Sequence, residues 1–374
     1  MKTAITVFYD IRELEGTGLQ ALRFAEFMRK SHCVTIISGT NKSFRPSKIT
    51  EILIIRICAV AMRAILWNLK LIYFLLKNSY DIVYCSNDYL GFTTIYVISK
   101  IRKYKLAYEA HGIMAAEFKE QHYPKILVDI CESLEKFICR HADYVVALAP
   151  NIFQYFHTHS SKPDNVELLH IFVDDSLFVP AEKDNGVSNL RLIGMIGPFD
   201  SPRKSKNLHF LYDNLDRFDG RIHFVIIGHC GERISSQRIE YTGYLDSMAQ
   251  YAICLSRLNA VLIPETIATT GPLNKIIQPM SCAIPVFTTP KGMLGLSQIE
   301  IGRDIFVFEA DKLVEKVNEL IFNTEILMAV GKNARKVVEQ YYSKKANTEK
   351  LGKIVGDLEI IVKDNRLHGL RNSK

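Results

Sequence analysis

The length, composition and charge of the chain exclude several classes of protein. At 374 residues it is too long for one ordinary hydrophobic core, and a typical domain size of roughly 150 residues predicts two domains. Hydrophobic residues make up 48% and charged residues 23%, without repeats or low-complexity tracts, which excludes a disordered or fibrous protein. The net charge of +7 is spread evenly along the chain. We therefore expect phosphorylated small molecules or an anionic membrane surface as partners, and no nucleic acid.

The cysteines and the N-terminal residues indicate a cytoplasmic protein. The eight cysteines are scattered without C-x-x-C spacing, so we expect reduced thiols that bind no metal. The first ten residues alternate in polarity as a β-strand does, and they lack the apolar block of a signal peptide. We expect a cytoplasmic location, with the inner face of the cell membrane as a possible site of contact.

Strand and helix patterns alternate along the chain. The first series of apolar strand candidates is AITVF, CVTIIS, DIVYC, LAYEA and YVVALA. After a polar stretch at 175–189, the second series is LRLIGMIG, IHFVIIG, IEYTGY, NAVLIP, IPVFTT and DIFVFEA. The alternation predicts an α/β protein with two doubly wound parallel sheets. We predict domains at 1–178 and 179–344, then a C-terminal helix and tail at 345–374 that either crosses back to the first domain or docks as a plain terminal helix.

One stretch, Ile52 to Leu76, is almost continuously apolar. Four basic residues recur at intervals of seven in and just after it, which places them on one side of a helix: Arg56, Arg63, Lys70 and Lys77. Buried charges oppose membrane spanning. Two interpretations stay open, a buried helix with a solvated basic stripe, which we favour, and a helix that lies in a membrane interface. Both predict that the chain does not cross the bilayer.

Two loops of the first series follow predicted strands. The turn EGTG at 15–18 precedes the first helix, where backbone N–H groups can approach a ligand. It does not complete a G-x-G-x-x-G fingerprint, since position 21 is alanine, so a structural turn and a functional loop both stay open. In the YEAHG stretch at 108–112, His111 follows a strand at the edge where parallel sheets bind ligands. It is either a hydrogen-bond donor to a ligand or a structural loop residue.

Two stretches of the second series contain candidate ligand-binding residues. In the first, residues 192–207, a turn at Gly197 precedes a helix that we predict to begin near Asn207. Three cations lie between the two: Arg203, Lys204 and Lys206. Cations beside a helix N-terminus neutralise phosphate while free N–H groups bind its oxygens. This pattern predicts a diphosphate site, and a solvated basic loop is the alternative.

The second such stretch is residues 264–289. Gly271 and Pro272 predict a backbone turn and a helix start, which present N–H groups to a ligand. The side chains expected to face the same ligand are Thr269, Thr270, Lys275 and Gln278. The last two share a side of the helix because they are three residues apart.

In their order and spacing these motifs resemble family 4 glycosyltransferases of the GT-B fold, over nearly the whole chain. Besides the glycine turn and YEAHG, the matching stretches are ESLEKFICRHADYVVALA, FVDDSLFVP, GPFDSPRKSKN, HFVIIGHCG, YTGYLDSMAQ and GPLNKIIQPMSCAIPVFTTPKGMLGL. The resemblance implies two Rossmann-like domains facing a central cleft. It also implies a retaining enzyme that needs no metal or other cofactor and transfers a sugar from a nucleotide donor to a saccharide or lipid-linked saccharide, in surface polysaccharide synthesis.

The resemblance further implies the role of individual residues. His111 would contact the transferred sugar, and Lys206 and Arg203 would hold the donor diphosphate. The remaining donor-binding residues that it implies are Gly16, Gly18, Gly197, Thr270, Gly271, Pro272, Leu273, Lys275 and Gln278. Among these, Gln278 would bind the nucleotide ribose.

Two departures from the family pattern bear on activity. The usual pair of glutamates eight positions apart is Thr270 and Gln278 here. Gln278 can still bond ribose hydroxyls through its amide, whereas Thr270 removes a carboxylate beside the reacting sugar. The usual arginine after the glycine turn is Pro198, so that Arg203 or Lys204 would supply the charge.

Two other functions stay open. A nucleotide-sugar epimerase would need acid and base carboxylates at the sugar, and Glu109 is the one obvious candidate. A non-catalytic partner subunit would account for Thr270 and Gln278, and it would bind sugar nucleotides weakly or not at all.

Overall fold

In a computed structural model, the chain is described at residues 1–8, 16–39, 53–181, 189–199 and 202–371; the side chains of 16, 17, 53–60, 202, 203 and 366–371 are not described. The chain forms two compact units. The first unit comprises residues 1–170 and 348–374, and the second comprises 171–347.

The first unit contains a six-stranded sheet with the order β2-β1-β3-β4-β5-β6, in which all neighbours are parallel. Its strands are β1 Lys2–Val7, β2 Cys33–Ser38, β3 Ile82–Ser86, β4 Lys105–Ala110, β5 Tyr144–Ala147 and β6 Val166–Leu168. Both β3 and β5 are buried along their whole length, which is why they are nearly continuous apolar runs. Strand β6 was not predicted, since three residues are too few to show a period.

The helices that belong wholly to the first unit are α1 Gly16–Met28, α2 Leu53–Lys77, α3 Tyr89–Arg102, α4 Met114–Glu120, α5 Lys125–His141 and α6 Pro150–His159. The last helix of the chain, α12 Lys344–Arg371, joins this unit from residue 348 onward. Its Asp357 accepts a hydrogen bond of 2.9 Å from Tyr144 in β5, and its Lys353 pairs with Glu167 in β6 at 2.6 Å.

The second unit repeats the same design. Its parallel sheet has the order β12-β11-β10-β7-β8-β9. The strands are β7 Arg191–Ile196, β8 Ile222–Ile227, β9 Ile239–Gly243, β10 Ala260–Ile263, β11 Val286–Thr288 and β12 Phe306–Val307. The helices are α7 Pro202–Asn214, α8 Met248–Ser256, α9 Asn274–Ser281, α10 Ala310–Leu320 and α11 Thr324–Val337, followed by a π-helical turn, Val338–Tyr342. The predicted fold, two doubly wound α/β sheets, is confirmed.

Residues 171–178, which the sequence analysis assigns to the first domain, are grouped with the second unit. The carbonyl oxygen of Phe178 accepts hydrogen bonds from Ser281 in α9 at 2.8 Å and from Arg335 in α11 at 2.8 Å. Val173 forms a bridge with Ser343. These contacts attach the stretch to the second unit.

The apolar stretch of the sequence forms α2. Trp67, Leu71 and Leu75 are buried, but other large apolar side chains of this helix, such as Leu66 and Leu69, are more than half exposed. The favoured interpretation as a buried helix is therefore wrong. Within the described ranges, no helix combines the length and apolar character needed to span a membrane.

Candidate functional site

In the first unit, His111 lies directly after β4, at the carboxyl edge of the sheet. Its Nε2 is 2.8 Å from Oε2 of Glu109, which is fully buried. The same carboxylate accepts hydrogen bonds from Tyr84 at 3.0 Å and from Ser86 at 2.5 Å. Burial and the charge of Glu109 raise the pKa of Tyr84 well above its usual value, so its hydroxyl keeps the proton that it donates. Glu109 is thus a fixed acceptor beneath the histidine.

This contact determines which nitrogen of His111 faces a ligand. Two hydroxyl groups already donate to Glu109, so we assign it as the acceptor of a hydrogen on Nε2 of His111 as well, which leaves Nδ1 for a ligand. In the neutral ring Nδ1 is an acceptor. The sequence predicts either a donor to a sugar hydroxyl or a structural loop residue, and both stay predictions; with Nε2–H directed at Glu109, Nδ1 of a neutral ring would instead accept from a hydroxyl.

The loop that carries His111 is held by the end of β3 and the start of α3. The backbone N–H of His111 donates to Oδ1 of Asn87 at 3.2 Å, and the N–H of Asn87 donates to the carbonyl of Glu109 at 2.9 Å. The hydroxyl of Tyr89 donates to the carbonyl of Gly112 at 3.0 Å. The side chain of His111 stays 15% exposed, so it is both fixed and accessible.

The predicted glycine turn lies at the same edge of the same sheet. Helix α1 begins at Gly16, and Gly18 is buried in its first turn, while positions 9–15 lie outside the described residues. Because β1 and β4 are parallel with β3 between them, the turn after β1 and His111 after β4 share the carboxyl edge.

In the second unit the predicted donor-binding residues lie at a topological switch point. Strand β7 continues to β8 on one side, whereas β10 pairs with β7 on its other side. Ligands bind at such points in doubly wound sheets because the loops after the two strands diverge. Gly197 follows β7, and Thr270, Gly271, Pro272 and Leu273 lie in the segment between β10 and α9.

Helix α7 differs from the expectation. It begins at Pro202 rather than near Asn207, because proline fits the first position of a helix. The three cations are therefore in its first turns rather than in a loop before it. Lys206 is exposed and makes no ion pair with any residue in the described part of the chain, while the side chain of Arg203 is outside that part.

The turn before α9 is positioned by close backbone packing. Leu273 occupies the N-cap of α9 and gives the helix no side-chain hydrogen bond, while its carbonyl oxygen accepts from the N–H of Ile276 at 3.0 Å. Gly295 has a φ of +78°, and a Cβ there would lie 2.7 Å from the nitrogen of Pro272. Glycine at position 295 therefore lets two backbone segments touch and fixes the turn.

Glu265, which was not predicted as a site residue, lies after β10 and is 5% exposed. Its carboxylate pairs with the ammonium group of Lys275 in α9 and accepts a hydrogen bond of 2.9 Å from Asn207 in α7. Glu265 thus connects the helix that carries Lys206 with the helix that follows the turn. A carboxylate directly after an apolar strand was the signal that could have revealed it.

We expect Glu265→Ala to lower the free energy of unfolding by about 3 kcal/mol, because it leaves the partly buried charge of Lys275 without this carboxylate. Urea denaturation measures the loss. The matched control is Glu240→Ala, which removes an exposed pair with Arg257 and should cost less than about 1 kcal/mol. Equal losses would contradict a structural role for Glu265.

The positions of Lys275 and Gln278 qualify their predicted roles. The Lys275 side chain is 19% exposed and lies against Glu265, which reduces the charge that it can offer to a phosphate. Gln278 is 6% exposed, so only a small part of its amide is accessible to a ribose. Both roles stay predictions, as does metal independence.

Two family models match the chain. The model described as Glycosyltransferase Family 4 matches residues 15–177, and the model described as Glycosyl transferases group 1 matches residues 191–323. An uncharacterized glycosyltransferase of Methanocaldococcus jannaschii is 20% identical over 309 residues, which cover 76% of this chain and 77% of the relative.

Solved structures share the fold. Sucrose-phosphate synthase from Thermosynechococcus elongatus has a TM-score of 0.77 at 14% identity, covering 96% of this chain and all of that one. HepE of Anabaena, in complex with UDP and glucose, has a TM-score of 0.69 at 15% identity, covering 95% of this chain and all of that one.

Proposed function

We propose that this chain, which belongs to the glycosyltransferases of group 1 and family 4, transfers a sugar from a nucleotide-sugar donor with retention of configuration. It is a glycosyltransferase with the GT-B fold. The acceptor in this proposal is a hydroxyl group of a saccharide or a lipid-linked saccharide, in the synthesis of a surface polysaccharide. The donor class is supported by HepE, a structural neighbour that binds UDP and glucose.

The observation that carries the proposal is the arrangement at the switch point of the second unit. The exposed cation Lys206 belongs to α7, which follows β7, and the turn at 270–273 precedes α9, which follows the adjacent strand β10. Glu265 contacts both helices, through a hydrogen bond from Asn207 in α7 and an ion pair with Lys275 in α9. A cation and helix N–H groups held in this way form a suitable site for the two phosphates of a donor.

In the proposed reaction, the bond between the anomeric carbon and the diphosphate oxygen breaks, and the diphosphate keeps the electron pair. The oxygen of the acceptor hydroxyl bonds to the anomeric carbon on the same face, and its proton passes to the departing diphosphate. The role of Lys206 is to stabilise the negative charge that develops on the diphosphate. The role of His111 is to orient the transferred sugar through Nδ1.

A membrane-proximal acceptor is part of the proposal. Exposed apolar residues on α2 support contact with a lipid surface, and the basic residues of that helix support an anionic one. The described cysteines are free thiols, which fits a reducing compartment such as the cytoplasmic side of the membrane.

The proposal is tested by thermal-shift and hydrolysis measurements with UDP-, GDP-, ADP- and CMP-sugars in the presence of EDTA. We expect one nucleotide sugar, with UDP-glucose the first to test, to raise Tm by roughly 5 °C at a hundredfold excess over its Kd and to be slowly hydrolysed. Stabilisation that requires a divalent metal would contradict metal independence.

Two results of the same screen would point to the alternative functions. Stabilisation by no nucleotide sugar would favour a non-catalytic partner subunit. Conversion of a free nucleotide sugar into its epimer without an acceptor would favour an epimerase.

A further inference from the structure

Three neighbouring helices of the first unit expose apolar side chains on their outward sides. Helix α2 contacts α3, and α3 contacts α5, so the three form one layer. On α2, the side chains that are 38–59% exposed include Ile65, Leu66, Leu69, Ile72, Tyr73 and Leu76. Their spacing of three and four residues places them along one side of the helix.

The apolar surface continues across the other two helices. On α3, Leu90, Val97 and Ile101 are at least half exposed, and on α5 Ile126 and Ile130 are 69% and 49% exposed. One shallow groove lies between α2 and α3, and a second lies between α3 and α5. Thr93 lines both grooves, so the surface is continuous. We call it the apolar helix face; soluble proteins rarely expose continuous apolar surfaces of more than a few hundred Å².

Hydrogen bonds fix the rotation of α2 that turns this side outward. The indole nitrogen of Trp67 donates to Asp88 at 2.5 Å, and Lys70 donates to the carbonyl of Ser38 at 2.5 Å. Asp88 also caps α3 by accepting from the backbone N–H of Gly91 at 2.8 Å. The helix cannot bury its outward apolar side by rotating without breaking these bonds, so the exposure is built into the fold.

The charges of α2 and α3 are of one sign, whereas α5 contains three acidic residues, of which Asp129 lines the second groove. Helices α2 and α3 together contain six basic residues and no acidic residue: Arg56, Arg63, Lys70, Lys77, Lys100 and Arg102. The exposed ammonium groups of Lys77 and Lys100 lie over the rings of Tyr73 and Tyr96, at 5.3 Å and 4.3 Å from their centroids. Aromatic rings beside cations at the border of an apolar surface suit the headgroup region of a bilayer.

From this combination we propose that the apolar helix face binds the surface of an anionic phospholipid bilayer. The apolar side chains enter the boundary between headgroups and acyl chains, and the cations at the ends of α2 and α3 contact lipid phosphates. Leu90 of this face is adjacent to Tyr89, which holds the loop after His111. Because α3 begins directly after β3, the face ends at the sheet edge that carries His111, and a lipid-linked acceptor bound there would lie at that edge. That last link rests on the proposed function, whereas lipid binding does not.

The test is co-sedimentation of the full chain with vesicles of phosphatidylcholine containing about 30% phosphatidylglycerol. The variant Ile65→Gln/Leu69→Gln is expected to bind at least tenfold more weakly than the unchanged protein. The matched control, Ile253→Gln/Met328→Gln, changes two apolar residues of the second unit that are slightly more exposed than Ile65 and Leu69, and it should bind normally. The variant Lys77→Gln/Lys100→Gln should lose about tenfold at low salt and less at high salt.

Three outcomes would overturn the proposal. One is that the unchanged protein does not bind these vesicles, and another is that the face variants bind as it does. The third is that the protein sediments as a dimer and does not bind vesicles, and that the variant Ile65→Gln/Leu69→Gln is a monomer. This result would show that the face contacts a second copy of the chain. Nucleotide-sugar stabilisation measured on the same variants separates these outcomes from failure of the proposed function, because the changes lie outside the donor site.

Discussion

Replacing Lys206 with alanine is expected to lower kcat by about 100- to 1000-fold, because a cation that stabilises the departing diphosphate acts mainly in the transition state. Lys206 is exposed on α7, so the free energy of unfolding should change by less than about 0.5 kcal/mol. The measurement is steady-state kinetics with the donor found in the nucleotide-sugar screen, together with urea denaturation of both proteins.

The control for this prediction is Lys312→Ala, which removes another exposed lysine of the same unit, 3.6 Å from Glu315. It should leave kcat unchanged. Lys206→Arg keeps the charge and should recover part of the lost activity. If Lys206→Ala and Lys312→Ala had equal kcat values, the diphosphate site would have to be placed elsewhere.

The second large effect is expected for Glu109→Gln, which should lower kcat by about 10- to 100-fold. The amide keeps the shape of the side chain but presents an N–H group and a weaker acceptor, so it no longer fixes hydrogen on Nε2 of His111. His111 itself remains in place. Nitrogen-15 NMR of the histidine ring should show mainly the Nε2–H tautomer in the unchanged protein and a mixture in the variant.

Glu132→Gln is the matched control, since Glu132 is an exposed glutamate of the same unit whose side chain is 48% exposed. It should change neither the activity nor the tautomer of His111. A Glu109→Gln protein that is stable and has full activity would show that the contact between Glu109 and His111 is structural only. A loss of activity with an unchanged tautomer would remove the explanation given for it.

Much of the fold could be predicted because buried parallel strands have a distinct pattern. The five strand candidates of the first series and the six of the second all correspond to observed strands, since each is a short apolar run between turns. The site positions after β4, β7 and β10 follow from the same reasoning, because ligands bind at the carboxyl edge of such sheets. The residue roles assigned to these positions stay predictions.

What the sequence could not reveal depends on contacts between distant residues. Glu265 and Asn207 are 58 positions apart, and no local pattern links them. The rotation of α2 depends on Asp88, which is 21 positions from Trp67, so the sequence could not show which side of an almost wholly apolar helix faces outward. In α7 the sequence does contain a local signal for the helix start, Pro202. The prediction nevertheless placed the three cations after it in a loop.

The position of Trp67 has a practical consequence. It is the only tryptophan of the chain, it is 3% exposed, and its ring meets that of Phe8 edge-on at 6.1 Å. Indole fluorescence therefore reports on the first unit alone, whereas calorimetry detects both units. Coincidence or separation of the two melting curves would show whether the units unfold together.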